Sequence, residues 1–250
     1  MKVTLKDGSV REYAQPMAVI DIAKDISEGL ARNVCAATVN GEGVDIRTVI
    51  DKDSTLVLHT FDDQEGKAAF WHTTSHILAQ AVKRLFPETK LAIGPSIAEG
   101  FYYDFDRPDS FTADDLTALE AEMKKIVKEN LALERFTLPR DEAIKFMQEK
   151  EEPYKVELIE DLPEDAEISF YDQGDFVDLC AGPHLMSTKG IKAFKLTSSS
   201  MAYWRGNAEK ARLQRIYGTA FNKKEELNAY LEQLEDAKKR DHNKLGREME

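Results

Sequence analysis

Two short segments far apart in the chain constrain it most: Trp71-His72-Thr-Thr-Ser-His76-Ile77 and Asp178-Leu-Cys180-Ala-Gly-Pro-His184. The first spaces two histidines i, i+4 within an amphipathic pattern, so a helix places both imidazoles on one face. The second holds a cysteine and a histidine on either side of a Gly-Pro turn, which suits a rigid loop better than a strand interior. A helix and a stiff loop are therefore the local structures this pattern asks for. Brought together, they supply three imidazoles and one thiol. That is either a metal site or a cluster of acid, base and hydrogen-bonding groups around one substrate.

A chain of 250 residues with 42% hydrophobic side chains can bury a real core in one or two domains. No apolar run approaches the ~20 residues that span a bilayer. The start, Met1-Lys-Val-Thr-Leu-Lys-Asp-Gly8, lacks the apolar stretch of a signal peptide. Two cysteines far apart do not make a disulfide framework, and a cytoplasmic protein is expected. The net charge of -12 argues against a nucleic-acid partner until its distribution is considered. Residues 1–62 sum to -3, residues 63–187 to -14 and residues 188–250 to +5. A basic last quarter on an acidic body suits either a solvated surface or a phosphate-contacting face.

The organisation is predicted to be α+β. Residues 1–62 form a small unit: Lys2–Lys6 and Ser9–Tyr13 flank an Asp7-Gly8 hairpin turn. An amphipathic helix with Val19, Ile20, Ala23 and Ile26 on one side follows, then strands at Cys35–Val39 and Thr55–Thr60 around the turn Asn40-Gly-Glu-Gly43. That ββαββ order predicts a β-grasp, ubiquitin-like fold. The polar stretch Asp62–Gly66 marks a boundary. A larger α+β unit over residues 63–222 opens with a long helix that stops before Pro87, and Lys90–Asp106 is extended, broken at Gly94-Pro95 and Gly100. Thr112 and Asp115 resemble a capping box opening a helix to about Asn130, and Pro139–Glu149 is a shorter helix. Strands are predicted at Tyr154–Ile159, Glu167–Tyr171, Ile191–Thr197 and Leu213–Tyr217. Residues 223–250 form a charged linker helix with a narrow stripe of Leu227, Tyr230, Leu231, Leu234 and Ala237, and the natural protein is expected to continue beyond Glu250.

The spacing of His72, His76, Cys180 and His184 admits a tetrahedral zinc, although it is not a familiar finger and has Thr73 where the HExxH motif has Glu. The substrate-site reading needs a base, a donor for developing charge and an anchor. Histidine titrates near pH ~6.5 and suits the base, so activity is expected to fall below that pH. Asp178 shares Cys180's side of a strand and could hold a cationic amine, and Lys155 could stabilise charge or orient water. Alone, both would be ordinary surface charges. Gly94-Pro95 could bring backbone groups close to a ligand, though a plain turn is commoner. Phe101-Tyr-Tyr103 could stack on a nucleobase, though aromatics in strands are more often core. Cys35 reads as a small buried hydrophobe, and His59 and His242 receive no role.

Taken together, these motifs closely resemble the N-terminal part of bacterial-type threonyl-tRNA synthetase. The first unit resembles a TGS domain. The second resembles the family's editing domain in His72/His76, Tyr154-Lys155 and Asp178-x-Cys180-x-Gly182-Pro-His184. Ala92-Ile-Gly-Pro95, Gly100-Phe-Tyr-Tyr-Asp104, Tyr203-Trp-Arg-Gly206 and Gln214–Thr219 extend the likeness along the chain.

The resemblance implies hydrolysis of the ester in Ser-tRNA(Thr), with the serine-bearing acceptor end of tRNA(Thr) as partner. Serine lacks one methyl of threonine, and a methyl discriminates by only ~1–3 kcal/mol, so a second site that excludes threonine supplies the missing selectivity. It implies that His72 and Lys155 act on the attacking water and the terminal ribose hydroxyl. Asp178 would bind the seryl ammonium, and His76, Cys180 and His184 would shape the pocket. Gly94-Pro95 would help read the substrate and Tyr103 would pack on the terminal adenosine. It further implies editing without metal. A zinc on His72, His76, Cys180 and His184 stays open, because the similar domain of alanyl-tRNA synthetase is associated with zinc. ATP, Mg and the ligase's own zinc belong to the aminoacylation domain, which lies outside this sequence. The whole enzyme would be a homodimeric ligase, and these residues by themselves a monomer. The alternatives are a zinc-dependent, free-standing deacylase and a non-catalytic tRNA-binding or regulatory module.

Overall fold

The computed structural model describes residues 1–249; Glu250 lies outside the described residues. In the first unit, β1 (Lys2–Leu5) and β2 (Val10–Glu12) form the expected hairpin around Asp7-Gly8. After β3 (Met17–Ala18) come α1 (Val19–Ile26) and α2 (Glu28–Asn33). Strands β4 (Ala36–Val39), β5 (Glu42–Val44), β6 (Val49–Ile50) and β7 (Ser54–His59) complete it. The sheet order is β2-β1-β7-β4-β5, with β1 and β7 parallel. Asn40 and Gly41, both at positive φ, turn β4 into β5, the conformation that an Asn-Gly hairpin favours. Val19, Ile20, Ile22 and Ala23 face the sheet and are buried against Val3, Ile46 and Leu56. This is the expected β-grasp.

The second unit begins with α3 (Gln64–Leu85). Asp63 caps it by accepting from the Gly66 N–H at 3.0 Å, and Lys83 and Arg84 suit the negative end of its dipole. Then come β8 (Lys90–Leu91), β9 (Ser96–Ile97), β10 (Gly100–Asp106) and α4 (Ala113–Lys128). The capping box on Thr112 and Asp115 forms as expected. Next are β11 (Leu133–Thr137), α5 (Arg140–Glu149), α6 (Pro153–Glu160), β12 (Ser169–Gln173) and β13 (Phe176–Leu179). Strands β14 (Ala193–Tyr203) and β15 (Arg212–Phe221) precede α7 (Lys224–Glu248). One sheet runs β14-β15-β10-β8, with β9 on β10; a second runs β11-β12-β13. Helix α3 packs on β10 and β15 and fills the main core with Ile77, Leu78 and Val82.

The α+β class holds, but Tyr154–Ile159 is helical rather than a strand. Pro153 at the first helical position is the start signal that the apparent alternation of Tyr154, Val156 and Leu158 obscured. The apolar stripe of α7 is packed only at its start: Leu227 is buried and Tyr230 lies 5.3 Å from Phe221, while Ala237 is exposed. The two units share a core, because Cys35, Ala36 and Phe61 join the cluster built by α3. Phe61 meets Phe70 at 4.8 Å, Phe221 at 5.9 Å and Trp71 at 6.1 Å between ring centroids. Cys35 is the small buried thiol expected, pushed up to about 12 by burial.

Candidate active site

Helix α3 delivers His72 and His76 to one side, and the end of β13 and the loop after it deliver Asp178, Cys180 and His184 to meet them. The four His and Cys donor atoms lie within 4.8 Å of one another. Cys180 Sγ is 3.3 Å from His72 Nε2 and 3.1 Å from His184 Nε2, and it accepts from the Gly182 N–H at 3.2 Å. The rings of His72 and His184 are 4.3 Å apart, and those of His76 and His184 4.5 Å. His72 alone of the four is partly exposed.

A second layer fixes the imidazoles. The Thr73 hydroxyl donates to the Ala69 carbonyl at 2.9 Å, so toward His184 Nδ1, also 2.9 Å away, it acts as acceptor. That leaves His184 Nε2 bare toward the thiol. His76 Nδ1 lies 3.3 Å from Asp178 Oδ2. Asp178 also accepts from the Tyr103 hydroxyl at 2.6 Å and pairs with Lys155 Nζ at 3.0 Å, and Lys155 Nζ donates to the Tyr103 oxygen at 3.0 Å. Lys155 reaches this cluster from the first turn of α6, buried with its partners.

Burial dominates the titration of the cluster. It pulls His72 down to about 3, helped by His76, and His76 down to about 4. His184 falls well below its ordinary value for the same reason, and burial pushes the Cys180 thiol up to about 12. Burial also raises Asp178, but Lys155, His76 and Tyr103 outweigh it and hold the carboxyl below its usual value. At neutral pH the site thus combines three neutral imidazoles, an un-ionised thiol and a carboxylate paired with an ammonium.

Two sequence expectations change. Tyr103 is fully buried and stacked on Phe105 at 4.9 Å, so it offers no face to an adenosine. Tyr102 is the half-buried member of that run, and the Arg215 guanidinium covers its ring at 3.8 Å. Asp178 is not an open anion, because the Tyr103 hydroxyl and Lys155 occupy it, His76 Nδ1 lies 3.3 Å away and 1% of the residue is exposed. Gly94 and Pro95 are half-exposed. Gly94 has a further reason to lack a side chain, since a Cβ there would stand 2.1 Å from the Tyr103 ring. Its carbonyl is tied to α3 by Ser75 Oγ at 2.7 Å.

Sequence reasoning missed Thr73, Tyr171, Asp45 and Arg47. Thr73 carried a signal, since a hydroxyl inside HxxxH can face the same way as a histidine. Asp45 and Arg47 gave none, because they lie in the other unit and belong to no motif.

As a zinc site the donor set fits: three imidazole nitrogens and one sulfur match tetrahedral N and S ligation. The outer nitrogens of His76 and His184 are held by Asp178 and Thr73, as metal-bound imidazoles require. A zinc held by His72, His76, Cys180 and His184 would supply a Lewis acid beside Lys155.

A β-grasp unit is joined here to a second unit that carries a buried HxxxH/CxxxH cluster, and each unit matches a known domain family. Residues 1–60 match the family described as the TGS domain, and residues 168–217 match the "Threonyl and Alanyl tRNA synthetase second additional domain". The chain carries both domains, and over its whole length it is similar to threonine–tRNA ligases. It is 62% identical over 250 residues to the threonine–tRNA ligase of Acetivibrio thermocellus, covering 100% of this chain and 39% of that protein. It is 64% identical over 249 residues to that of Clostridium botulinum, covering 100% and 38%. With the ligase of Clostridioides difficile the identity is 61% over 249 residues, covering 100% and 39%. The chain therefore spans well under half the length of these relatives. No described helix is long and apolar enough to cross a membrane.

Proposed function

We propose that these residues proofread threonine–tRNA ligation in the cytoplasm, hydrolysing the ester of Ser-tRNA(Thr) to serine and free tRNA. The observation that carries this reading is a partly exposed neutral imidazole, His72, whose ring lies 5.1 Å from that of His76, itself 3.3 Å from Asp178 in the buried Lys155–Asp178–Tyr103 cluster. The neutral His72 imidazole accepts a hydrogen bond from the attacking water. The water oxygen bonds to the ester carbonyl carbon, the bond to the ribose oxygen breaks, and that oxygen takes up the proton that the water gives up. Lys155 stabilises the oxyanion and orients the ribose hydroxyl. The seryl ammonium is taken by Asp178 in exchange with Lys155, which the same carboxylate holds 3.0 Å away. His76, Cys180 and His184 form the wall that threonine's methyl meets, and the Gly94-Pro95 turn forms part of the rim. In the whole enzyme, ligation of threonine with ATP would take place in the part of the relatives' length that this chain does not span.

The test is deacylation of Ser-tRNA(Thr) and Thr-tRNA(Thr), with and without EDTA. Rapid loss of the seryl ester alone, unaffected by chelation, is the expected result. Binding without turnover would favour a tRNA-binding module.

A second reading, a zinc-dependent deacylase, is favoured by the fit of the donor set and its outer hydrogen bonds. It requires about one zinc per chain after purification and activity that EDTA removes and zinc restores.

A further inference from the structure

The first unit reaches into the wall of this site. Between β5 and β6, Ile46 points into the first unit's own core and is fully buried. The α1 backbone secures the loop: the Ile20 N–H donates to the Ile46 carbonyl and the Val19 N–H to the Thr48 carbonyl, both at 2.9 Å. The flanking side chains, Asp45 and Arg47, project instead into the second unit.

Their bonds converge on the loop that carries His184. Asp45 Oδ2 accepts from the His184 backbone N–H at 3.0 Å and from the Tyr171 hydroxyl at 2.6 Å. Asp45 Oδ1 accepts from the Arg47 N–H at 2.8 Å and from Nη1 at 2.9 Å. Arg47 Nη1 donates to the His184 carbonyl at 3.1 Å, and Nη2 to the Leu185 carbonyl at 2.7 Å. Nε and Nη2 both donate to the Leu133 carbonyl, at 3.0 and 2.6 Å. All five guanidinium protons and all four carboxylate lone pairs are thereby used. The two backbone groups of one site residue, His184, are gripped by the two members of one ion pair from the other unit.

The same grip extends to the ring. Tyr171, held by Asp45, lies edge-on to the His184 imidazole at 4.4 Å. Gly182, at φ +78°, passes so close that a Cβ would stand 2.2 Å from the Tyr171 hydroxyl. His184 Nε2 in turn meets Cys180, which meets His72. A contact that only glued two units together would have no reason to concentrate on this loop.

We propose that Asp45 and Arg47 are positioning residues of the hydrolytic site, and that the β-grasp unit completes that site by clamping the backbone of His184. This rests on the hydrolytic reading above. It assigns the first unit a role in the chemistry without contact with substrate.

The test uses the full chain carrying Asp45→Asn, which presents an amide donor to a cluster of donors. The first readout is kcat against KM for Ser-tRNA(Thr). The expected result is a fall in kcat of about 10- to 100-fold, as for other residues that orient a reactive group, with KM within about twofold. The second readout needs no turnover: the ring 15N and 1H signals of the five histidines by NMR. Signals of His184 and His72 shift, while those of His59 and His242 stay. Unchanged kcat and unchanged His184 signals, with only a lower Tm, would overturn the proposal and leave the clamp as inter-unit adhesion. If the unmodified chain does not hydrolyse the ester, the hydrolytic reading fails, and the ring signals still decide whether the clamp sets His184. Should Asp45→Asn fail to fold, Tyr171→Phe removes a single hydroxyl from the clamp and is scored on the same readouts.

Discussion

Lys155 Nζ stands 3.0 Å from Asp178 Oδ1, with only 4% and 2% of the two side chains exposed. Removing either partner leaves a buried charge without its counter-ion. Lys155→Met or Asp178→Ala alone should cost about 3–5 kcal/mol. The double variant should cost less than the sum of the singles, because neither charge is then stranded. Urea unfolding of the four proteins measures the cycle. Additive losses would show that the pair is not coupled.

Kinetics should separate the two ends of the site. If the His72 imidazole acts on water as proposed, His72→Ala should lower kcat about 10²- to 10⁴-fold and leave KM nearly unchanged. In the proposed reaction the seryl ammonium takes Lys155's place on Asp178, so Asp178→Asn should chiefly raise KM for the seryl ester. Equal losses in kcat and KM for both variants would contradict this division.

The pH dependence runs against the habit of histidine enzymes. Burial holds His72 at about 3 and His76 at about 4, below the ~6.5 of an unfolded imidazole. Below ~6.5 the unfolded chain binds protons that the folded chain does not, so stability is full above that pH and falls as pH drops toward about 4. Asp178, held below its usual carboxylate value, adds its loss only at still lower pH. Tm measured from pH 7 to pH 4 should therefore decline steadily. Activity, by contrast, should stay flat from pH 8 to pH 5, because His72 remains neutral throughout. The ordinary imidazole value used in reading the sequence predicts a fall below ~6.5, and a break there would assign the water-binding role to a less buried group.

Gly94→Ala tests the seat of Tyr103. The added methyl meets the ring at 2.1 Å, and the ring is fully buried and stacked on Phe105. Tm should fall by several degrees, and kcat should fall with it as the Tyr103 hydroxyl leaves Asp178. Wild-type Tm and kcat would show that the turn yields instead.

Much of this was legible in residue spacing. His72 and His76 share a helix face, Thr112 and Asp115 close their capping box, and Cys180 and His184 sit on a loop, all by local rules that hold regardless of tertiary context. What escaped depended on context. Lys155 was placed on a strand because Tyr154, Val156 and Leu158 alternate, although Pro153 favoured a helix start. The resemblance sets Tyr103 against an adenosine while the strand pattern favours core, and only the packing around Phe105 decides for the core. Asp45 and Arg47 find their partners 86 to 139 residues away, and no local pattern encodes such a meeting.

The aromatic seat of Phe61 carries a practical consequence. The polar stretch that follows it invites a cut at residue 62, yet that cut would divide a single hydrophobic interior. A piece starting at 63 would leave an aromatic-lined hole beside Phe70 and Trp71, and a piece ending at 62 would display a bare phenyl ring. The seam visible in composition is thus a place where the chain changes partners, while the material it joins is continuous.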